Sequence, residues 1–304
     1  MKRREFVATA VGIWIPVRRG PERFVERWSS AMGQAVHVMV YADSEAAGLD
    51  ACAQALAELR RVEARLSLFD DASDLCELNR HAGRKPMRVA EDLQNVLRAA
   101  EAFRAQTAGA FDPAVEPLMR TWGFHRPRRT PPTAGEISAA RAAVAAAVVR
   151  QDGNVVTLPS AHTQLDFGGI AVGYGIDCAV AVLRGLGIQR AFLDVSGDCY
   201  GLGAPPGEPA GWLVGIAGSA QSVRLRDAGL ATSANSVSVI RLGRQVIGHV
   251  MNPATGRPVA GRRQMTVVAR TAIAADALST AALVSRRVPA GIRMIATDAA
   301  LNGC

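Results

Sequence analysis

The chain of 304 residues contains little lysine, few aromatic residues and no long apolar run. Only Lys2 and Lys85 are lysines, so arginine supplies almost all of the positive charge behind a net charge of +8. The arginines are scattered, and the aromatic residues, at 5%, do not alternate with them, so no nucleic-acid groove is expected. No apolar run of 18 residues occurs, which excludes an obvious membrane-spanning helix. A basic surface still favours an anionic cofactor, an acidic protein partner or anionic lipid.

The five cysteines do not form a recognisable metal or redox motif. None of them is spaced as in CxxC, and their odd number implies no complete disulfide framework. Apolar residues make up 49% of the chain, which is enough for a sizeable core and argues against disorder. The length allows one large domain or two ordinary ones.

The N terminus combines basic residues with a modest apolar run that ends at Val17. Arg3 and Arg4 stand where a twin-arginine export signal would have them, which favours the periplasm or the outer face of the inner membrane. A basic tail on a cytoplasmic protein is the alternative, because no clear small-residue cleavage site is visible. We therefore divide the chain into a tail or signal over residues 1–30 and one domain over residues 31–304. Membrane association is expected only through the N terminus or through a partner.

Apolar periodicity predicts a mixture of strands and helices. Predicted strands cover residues 35–41, 191–195, 211–217, 222–226, 237–242, 263–270 and 292–297. Predicted helices cover residues 49–66, 93–103, 138–149, 171–187 and 274–285. The two types mix without strict βαβ alternation. The predicted fold class is therefore α+β, with mixed, largely antiparallel sheets and packed helices.

A glycine pair at Gly168-Gly169 joins a short apolar run to the predicted helix that follows it. Glycine lets the backbone turn tightly and approach a ligand, and the start of a helix offers unpaired N–H groups that suit a phosphate. Asp166 stands just before the turn, where a carboxylate can orient a polar ligand. An ordinary strand-to-helix turn is the alternative interpretation.

Three further acidic residues have distinct predicted roles. Asp276 and Thr280 are four residues apart on a predicted helix, so their side chains share one face and offer oxygen to a cation such as Mg²⁺. A solvent-facing pair is the alternative. Asp112 precedes Pro113, which is typical of a helix cap followed by the first helical turn. His125 lies in a segment rich in proline and arginine and is expected to be solvated, and Asp198 is expected to form a turn.

Five ordered stretches together resemble the ApbE family, the FAD:protein FMN transferases. They cover residues 66–75, 109–115, 165–174, 249–258 and 275–281, and the resemblance extends from about residue 32 to about residue 288. It implies an ApbE-like (T-fold-like) architecture. It also implies Mg²⁺-dependent transfer of FMN from FAD to a threonine or serine hydroxyl of an acceptor flavoprotein, with release of AMP.

The resemblance assigns roles to individual residues. Gly169, Asp276 and Thr280 would be the metal ligands, and His249 would remove the proton of the acceptor hydroxyl. The implied cofactor-binding residues are Met32, Phe69, Ala110, Phe111, Asp112, Asp166, Val172, Val250 and Met251.

Two positions depart from the family pattern. Val172 stands where the family usually has a charged residue, often lysine, so a contact to the flavin nucleotide is expected to be lost. Asn252 replaces the aspartate of the His-x-x-Asp-Pro motif but keeps its turn-forming ability. A Mg²⁺-dependent FAD pyrophosphatase and a non-catalytic FAD-binding protein are therefore alternatives, and Val172 favours the second of them.

Overall fold

The structure is a computed structural model that describes residues 22–236, 238–243, 245–261 and 263–298. The suspected export signal lies outside the described residues. The helices are α1 (Glu45–Leu66), α2 (Asp74–His81), α3 (Glu91–Gln106), α4 (Glu116–Trp122), α5 (Ala134–Ala145), α6 (Ala171–Gly185) and α7 (Ala272–Ser285). None of these described helices is both long enough and apolar enough to cross a bilayer.

The strands in chain order are β1 (Arg23–Ala31), β2 (Gln34–Ala42), β3 (Met87–Arg88), β4 (Arg150–Asp152), β5 (Val155–Thr157), β6 (Arg190–Val195), β7 (Asp198–Leu202), β8 (Trp212–Gly215), β9 (Ser222–Leu225), β10 (Ala228–Ala234), β11 (Val239–Leu242), β12 (Gln245–Gly248), β13 (Met251–Asn252), β14 (Arg257–Pro258), β15 (Arg263–Ala269) and β16 (Arg293–Asp298). Seven of them form the main sheet in the order β1-β2-β6-β7-β10-β15-β16, and every neighbouring pair is antiparallel. Four small antiparallel sheets accompany it. The predicted α+β class with antiparallel sheets is confirmed.

Both faces of the main sheet are covered, which explains the apolar run over residues 38–42 of β2. Val36, Val38 and Val40 point to one face, where they pack with residues of α1 and α6. Met39 and Tyr41 point to the other face and join a cluster that includes Trp212 of β8. Successive side chains of a strand alternate between faces, so a strand buried on both sides is apolar throughout.

Strand β1 lies in the segment that was assigned to the N-terminal tail. Its residues pair with β2 from Arg23↔Ala42 to Ala31↔Gln34. Met32 and Gly33 connect the strands with φ angles of 56° and 69°, and two left-handed residues in a two-residue loop are typical of a type I′ hairpin. The folded part of the chain therefore starts before the predicted boundary at residue 31.

Helices α6 and α7 approach each other closely. A Cβ atom on Gly173 would lie 2.4 Å from the Ala272 carbonyl oxygen, so only glycine fits at this crossing. Asp177 of α6 accepts hydrogen bonds from the backbone N–H groups of Ala272 and Ile273 at 2.8 and 2.9 Å and so caps the start of α7. The crossing fixes the relative position of the two helices that border the site described next.

Candidate active site

A cavity of about 280 Å³ opens between the main sheet, the Gly168-Gly169 turn and the segment that follows β12. All of the predicted site residues except Met32 and Phe69 line it. Residues from distant parts of the chain thus meet at one cavity.

The predicted metal-binding residues lie together on one wall of the cavity. Thr280 follows Asp276 by one turn of α7, and a Cβ atom on Gly169 would lie only 2.9 Å from the Thr280 Oγ1. Ser233 of β10 adds a hydroxyl group 3.1 Å from the Thr280 Oγ1. The donor set consists of oxygen atoms alone, which is the set that Mg²⁺ prefers.

Asp276 is held by its neighbours and is almost fully buried. Its Oδ2 accepts a hydrogen bond of 3.0 Å from the Gly173 N–H, which the close helix crossing places there. Burial raises the pKa of the Asp276 carboxyl to about 7. A buried carboxylate on the wall of a cavity gains from a bound cation, so the residues fit a divalent metal ion.

Asp198 stands beside this wall and was expected only to form a turn. It begins β7, lines the cavity, and accepts a hydrogen bond of 3.0 Å from the backbone N–H of Thr232. Burial and the nearby charge of Asp276 raise the pKa of the Asp198 carboxyl well above its ordinary value. The cavity therefore contains two mutually repelling carboxyl groups, an arrangement that a cation would stabilise.

His249 has the hydrogen-bonding state that a general base needs. Its Nδ1 lies 3.2 Å from the Ser238 carbonyl oxygen, and because a carbonyl can only accept, Nδ1 carries the proton. The Nε2 atom of the neutral ring is then free to accept a proton. Burial lowers the pKa of His249 below its ordinary value, so the ring is neutral at neutral pH.

Asn252 retains the turn that its sequence position requires. Its Oδ1 accepts hydrogen bonds from the backbone N–H groups of Ala254 and Thr255 at 2.9 and 3.1 Å. An amide oxygen makes these bonds as an aspartate would, so the loss of the charge leaves the local structure intact.

The prediction that Asp112 caps a helix is wrong. Helix α4 begins at Glu116, and its N-terminal cap position is Val115, without a side-chain hydrogen bond. Asp112 instead accepts from the Ala114 N–H at 2.9 Å and pairs with Arg104 at 2.9 Å. Asp112 thus stabilises a turn ahead of the helix, because its carboxylate accepts a hydrogen bond from the N–H of Ala114, two residues further along the chain and before the helix begins.

Met32 and Phe69 lie outside the cavity lining. The Met32 sulfur packs so closely on α6 that a Cβ on Gly175 would lie 2.9 Å from it. Phe69 is 85% exposed, which excludes the hydrophobic core as its location. Its ring contacts the His125 ring edge-on, with centroids 6.0 Å apart. The expected contacts of Met32 and Phe69 with the flavin nucleotide stay predictions.

His125 is a site residue that sequence reasoning missed. It was expected to be solvated, yet its side chain is only 17% exposed. Its Nε2 lies 3.6 Å from Asp166 Oδ2, and its Nδ1 lies 3.7 Å from Glu116 Oε1. The segment 125–135 contains no acidic residue near His125, so no local pattern could have indicated this contact with the cavity wall.

Comparison with known proteins identifies a single family. The family model of the ApbE family matches residues 32–301. FAD:protein FMN transferases from Vibrio cholerae and Treponema pallidum are 27% and 29% identical to this chain, over 74% and 88% of its length and 70% and 80% of theirs. The crystal structure of the flavinyl transferase ApbE from Pseudomonas stutzeri, in its apo form, superposes with a TM-score of 0.77 at 25% identity and covers 91% of this chain and 96% of that one.

Proposed function

The chain belongs to the ApbE family, and we propose that it transfers FMN from FAD to a threonine or serine hydroxyl of an acceptor protein. The curated relatives are FAD:protein FMN transferases, and this chain is a transferase of that kind. The acceptor hydroxyl oxygen attacks the phosphorus atom on the riboflavin side of FAD. The bond from that phosphorus to the AMP part breaks, AMP leaves, and FMN remains on the acceptor as a phosphoester.

The observation that carries the proposal is the state of His249. It lines the cavity as a neutral imidazole whose Nδ1 is engaged by Ser238, so its Nε2 can take the proton from the attacking hydroxyl. Burial keeps the pKa of His249 low enough for this role near neutral pH. Without a base, a hydroxyl group is a weak nucleophile.

The wall formed by Gly169, Asp276 and Thr280 supports Mg²⁺ dependence. These residues offer a main-chain carbonyl, a carboxylate and a hydroxyl, and Mg²⁺ usually completes such a set with water and substrate phosphate oxygens. When bound, the ion would neutralise charge on the pyrophosphate.

One experiment separates this proposal from its alternatives. The protein is incubated with FAD and Mg²⁺, with and without an acceptor protein, and a parallel sample contains EDTA. Transfer predicts flavin fluorescence on the acceptor in a denaturing gel, AMP in solution, and loss of both in EDTA. AMP without an acceptor would indicate a pyrophosphatase, and bound FAD without turnover would indicate a non-catalytic FAD-binding protein.

The twin-arginine pattern supports a location in the periplasm or on the outer face of the inner membrane. Fusion of residues 1–30 to a reporter that is active only after export tests this proposal. Replacement of Arg3 and Arg4 by lysine should abolish export. An equal reporter signal from both fusions would contradict a twin-arginine route.

A further inference from the structure

His125 is held in place by the end of α4. Gly123, with a φ of 97°, ends the helix in the left-handed conformation, and the N–H of Phe124 donates to the Met119 carbonyl at 3.0 Å. The chain therefore turns back along α4, and His125 comes to face Glu116 in the first turn of the same helix. Arg128 fixes the following loop with a 2.7 Å hydrogen bond to the Thr121 carbonyl.

The imidazole of His125 lies between two carboxylates. Glu116 belongs to α4 and is 3% exposed, and its Oε2 is buried without a hydrogen-bond partner among the residues that the structure describes. Asp166 comes from the turn before α6 and lines the cavity, with its Oδ1 engaged by the Gly168 N–H at 2.7 Å. Arg120 is the cation on α4 near His125, and it also pairs with Glu116.

This environment favours the protonated form of His125. Burial alone would lower the pKa of the ring, and Arg120 acts in the same direction, but Glu116 and Asp166 outweigh both and raise it above its ordinary value. A protonated His125 compensates the carboxylate of Asp166. That compensation matters because Asp166 borders the cavity that would receive the polyanionic substrate FAD, and an uncompensated carboxylate would repel the substrate.

The other contact of His125 is with Phe69. Phe69 belongs to the loop between α1 and α2 and is almost fully exposed, and the edge-on contact with the imidazole is its one aromatic contact among the described residues. The His125 side chain therefore contacts both the carboxylate of Asp166 on the cavity wall and the exposed ring of Phe69. Such pairs of rings favour this perpendicular geometry.

We propose that His125 is a positioning residue that, as a cation between Glu116 and Asp166, holds Asp166 and Phe69 for FAD and sets the affinity for FAD. This inference rests on the proposed function, because it assigns FAD to the cavity. The ring contacts of His125 among the described residues are with Glu116, Asp166 and Phe69, and none is with His249. Loss of His125 should therefore raise the KM for FAD and leave kcat nearly unchanged.

The test is a titration with FAD at constant Mg²⁺ between pH 6 and pH 9, followed by flavin fluorescence. The proteins compared are the wild type, His125→Gln, which removes the charge, and His162→Gln, which changes an exposed histidine that does not line the cavity. Wild type and His162→Gln should bind FAD about tenfold more tightly than His125→Gln at pH 6, as expected for one favourable charge. This ratio of affinities should fall to about one at pH 9, because His125 is then neutral in the wild type as well.

Glu116→Gln provides a second test, and a purely structural role of His125 would not produce the result expected from it. Removal of one carboxylate lowers the pKa of His125, so the midpoint of the pH dependence should move to lower pH. Thermal melting of each variant verifies that it is folded. FAD binding by His125→Gln equal to that of the wild type at pH 6, or an unmoved midpoint in Glu116→Gln, would overturn the inference. Absence of FAD binding by the wild type at any pH would instead overturn the proposed function.

Discussion

Gly169 packs directly against Thr280, so that a Cβ atom on Gly169 would lie 2.9 Å from the hydroxyl oxygen and 3.4 Å from two carbon atoms of the threonine. The contact joins the turn before α6 to the middle of α7. It places the backbone of Gly169 beside the Thr280 hydroxyl, one helical turn from Asp276. The proposed metal site therefore depends on the absence of a side chain at Gly169.

Gly169→Ala should disrupt this contact. The added methyl forces Thr280 to move, which costs about 1–3 kcal/mol by analogy with overpacked sites. We expect Mg²⁺-dependent transfer to fall and the melting temperature to decrease. Gly185→Ala is the matched control, because nothing lies within 4 Å of its added Cβ and it sits in a helix. Equal activity of the two variants would show that Gly169 has no role at the metal.

Asp276→Asn should abolish the response to Mg²⁺ while preserving the fold. The amide oxygen can still accept from the Gly173 N–H, but the charge that would attract the cation is gone. Addition of Mg²⁺ to the FAD-saturated protein should raise the melting temperature of the wild type and should not raise that of Asp276→Asn. Normal transfer by Asp276→Asn at limiting Mg²⁺ would exclude Asp276 as a ligand.

His249→Gln should reduce transfer by about 10²–10⁴-fold, the range typical of a general base. FAD binding should be nearly unaffected, because the change concerns a proton acceptor. An equal loss of FAD affinity and of transfer rate in His249→Gln would indicate a structural role for His249 instead.

The pH dependence of kcat follows from the protonation of His249. Burial lowers the pKa of His249, so the folded state binds fewer protons at this site than the unfolded state between the two pKa values. Transfer should therefore persist below the ordinary histidine pKa of about 6.5 and fall only at lower pH. The contribution of His249 to stability should be fully present above this ordinary value and should be lost as the pH falls from it through the lowered pKa of the folded state. A transfer rate that already halves above pH 6.5 would contradict a neutral His249 as the base.

Val172→Lys tests the departure from the family pattern. Val172 lines the cavity and is 8% exposed, and it also packs in the core between the sheet and α6. A lysine that reaches the cavity would form a charge-assisted hydrogen bond with the nucleotide, worth about 1.5–3 kcal/mol, or about tenfold or more in FAD affinity. We expect tighter FAD binding with an unchanged melting temperature. Val172→Met serves as a control for size, and weaker binding with a lower melting temperature would mean that the lysine is buried without a partner.

Local patterns in the sequence were sufficient for many elements of the fold and for part of the site. The i, i+4 spacing of Asp276 and Thr280 requires only that α7 be a helix, and α7 spans both residues. The predicted strands and helices over 35–41, 93–103 and 263–270 correspond to β2, α3 and β15. Apolar side chains recur regularly along each of these three elements, because each element buries one or both of its faces.

Other elements gave no clear signal along the chain. Strand β1 is largely exposed, with Val25 and Ala31 its only buried residues, so its alternation is weak. Strand β10 contains small residues such as Ala231 and Ala234, which lack the β-branched side chains that usually reveal a strand. Both are stabilised by their neighbours in the sheet rather than by their own composition.

The sequence by itself determined the α+β class, the residue types of the site and the helix that carries Asp276 and Thr280, because these depend on short-range periodicity and on stretches that are contiguous in the chain. Only the tertiary structure placed Gly169 against Thr280, Asp198 beside Asp276, and the loop residue His125 between the carboxylates of Glu116 and Asp166. These contacts join residues from different elements. Their distances follow from how the sheet and helices pack, which no local pattern encodes, and packing also sets the burial and the neighbouring charges that fix each pKa.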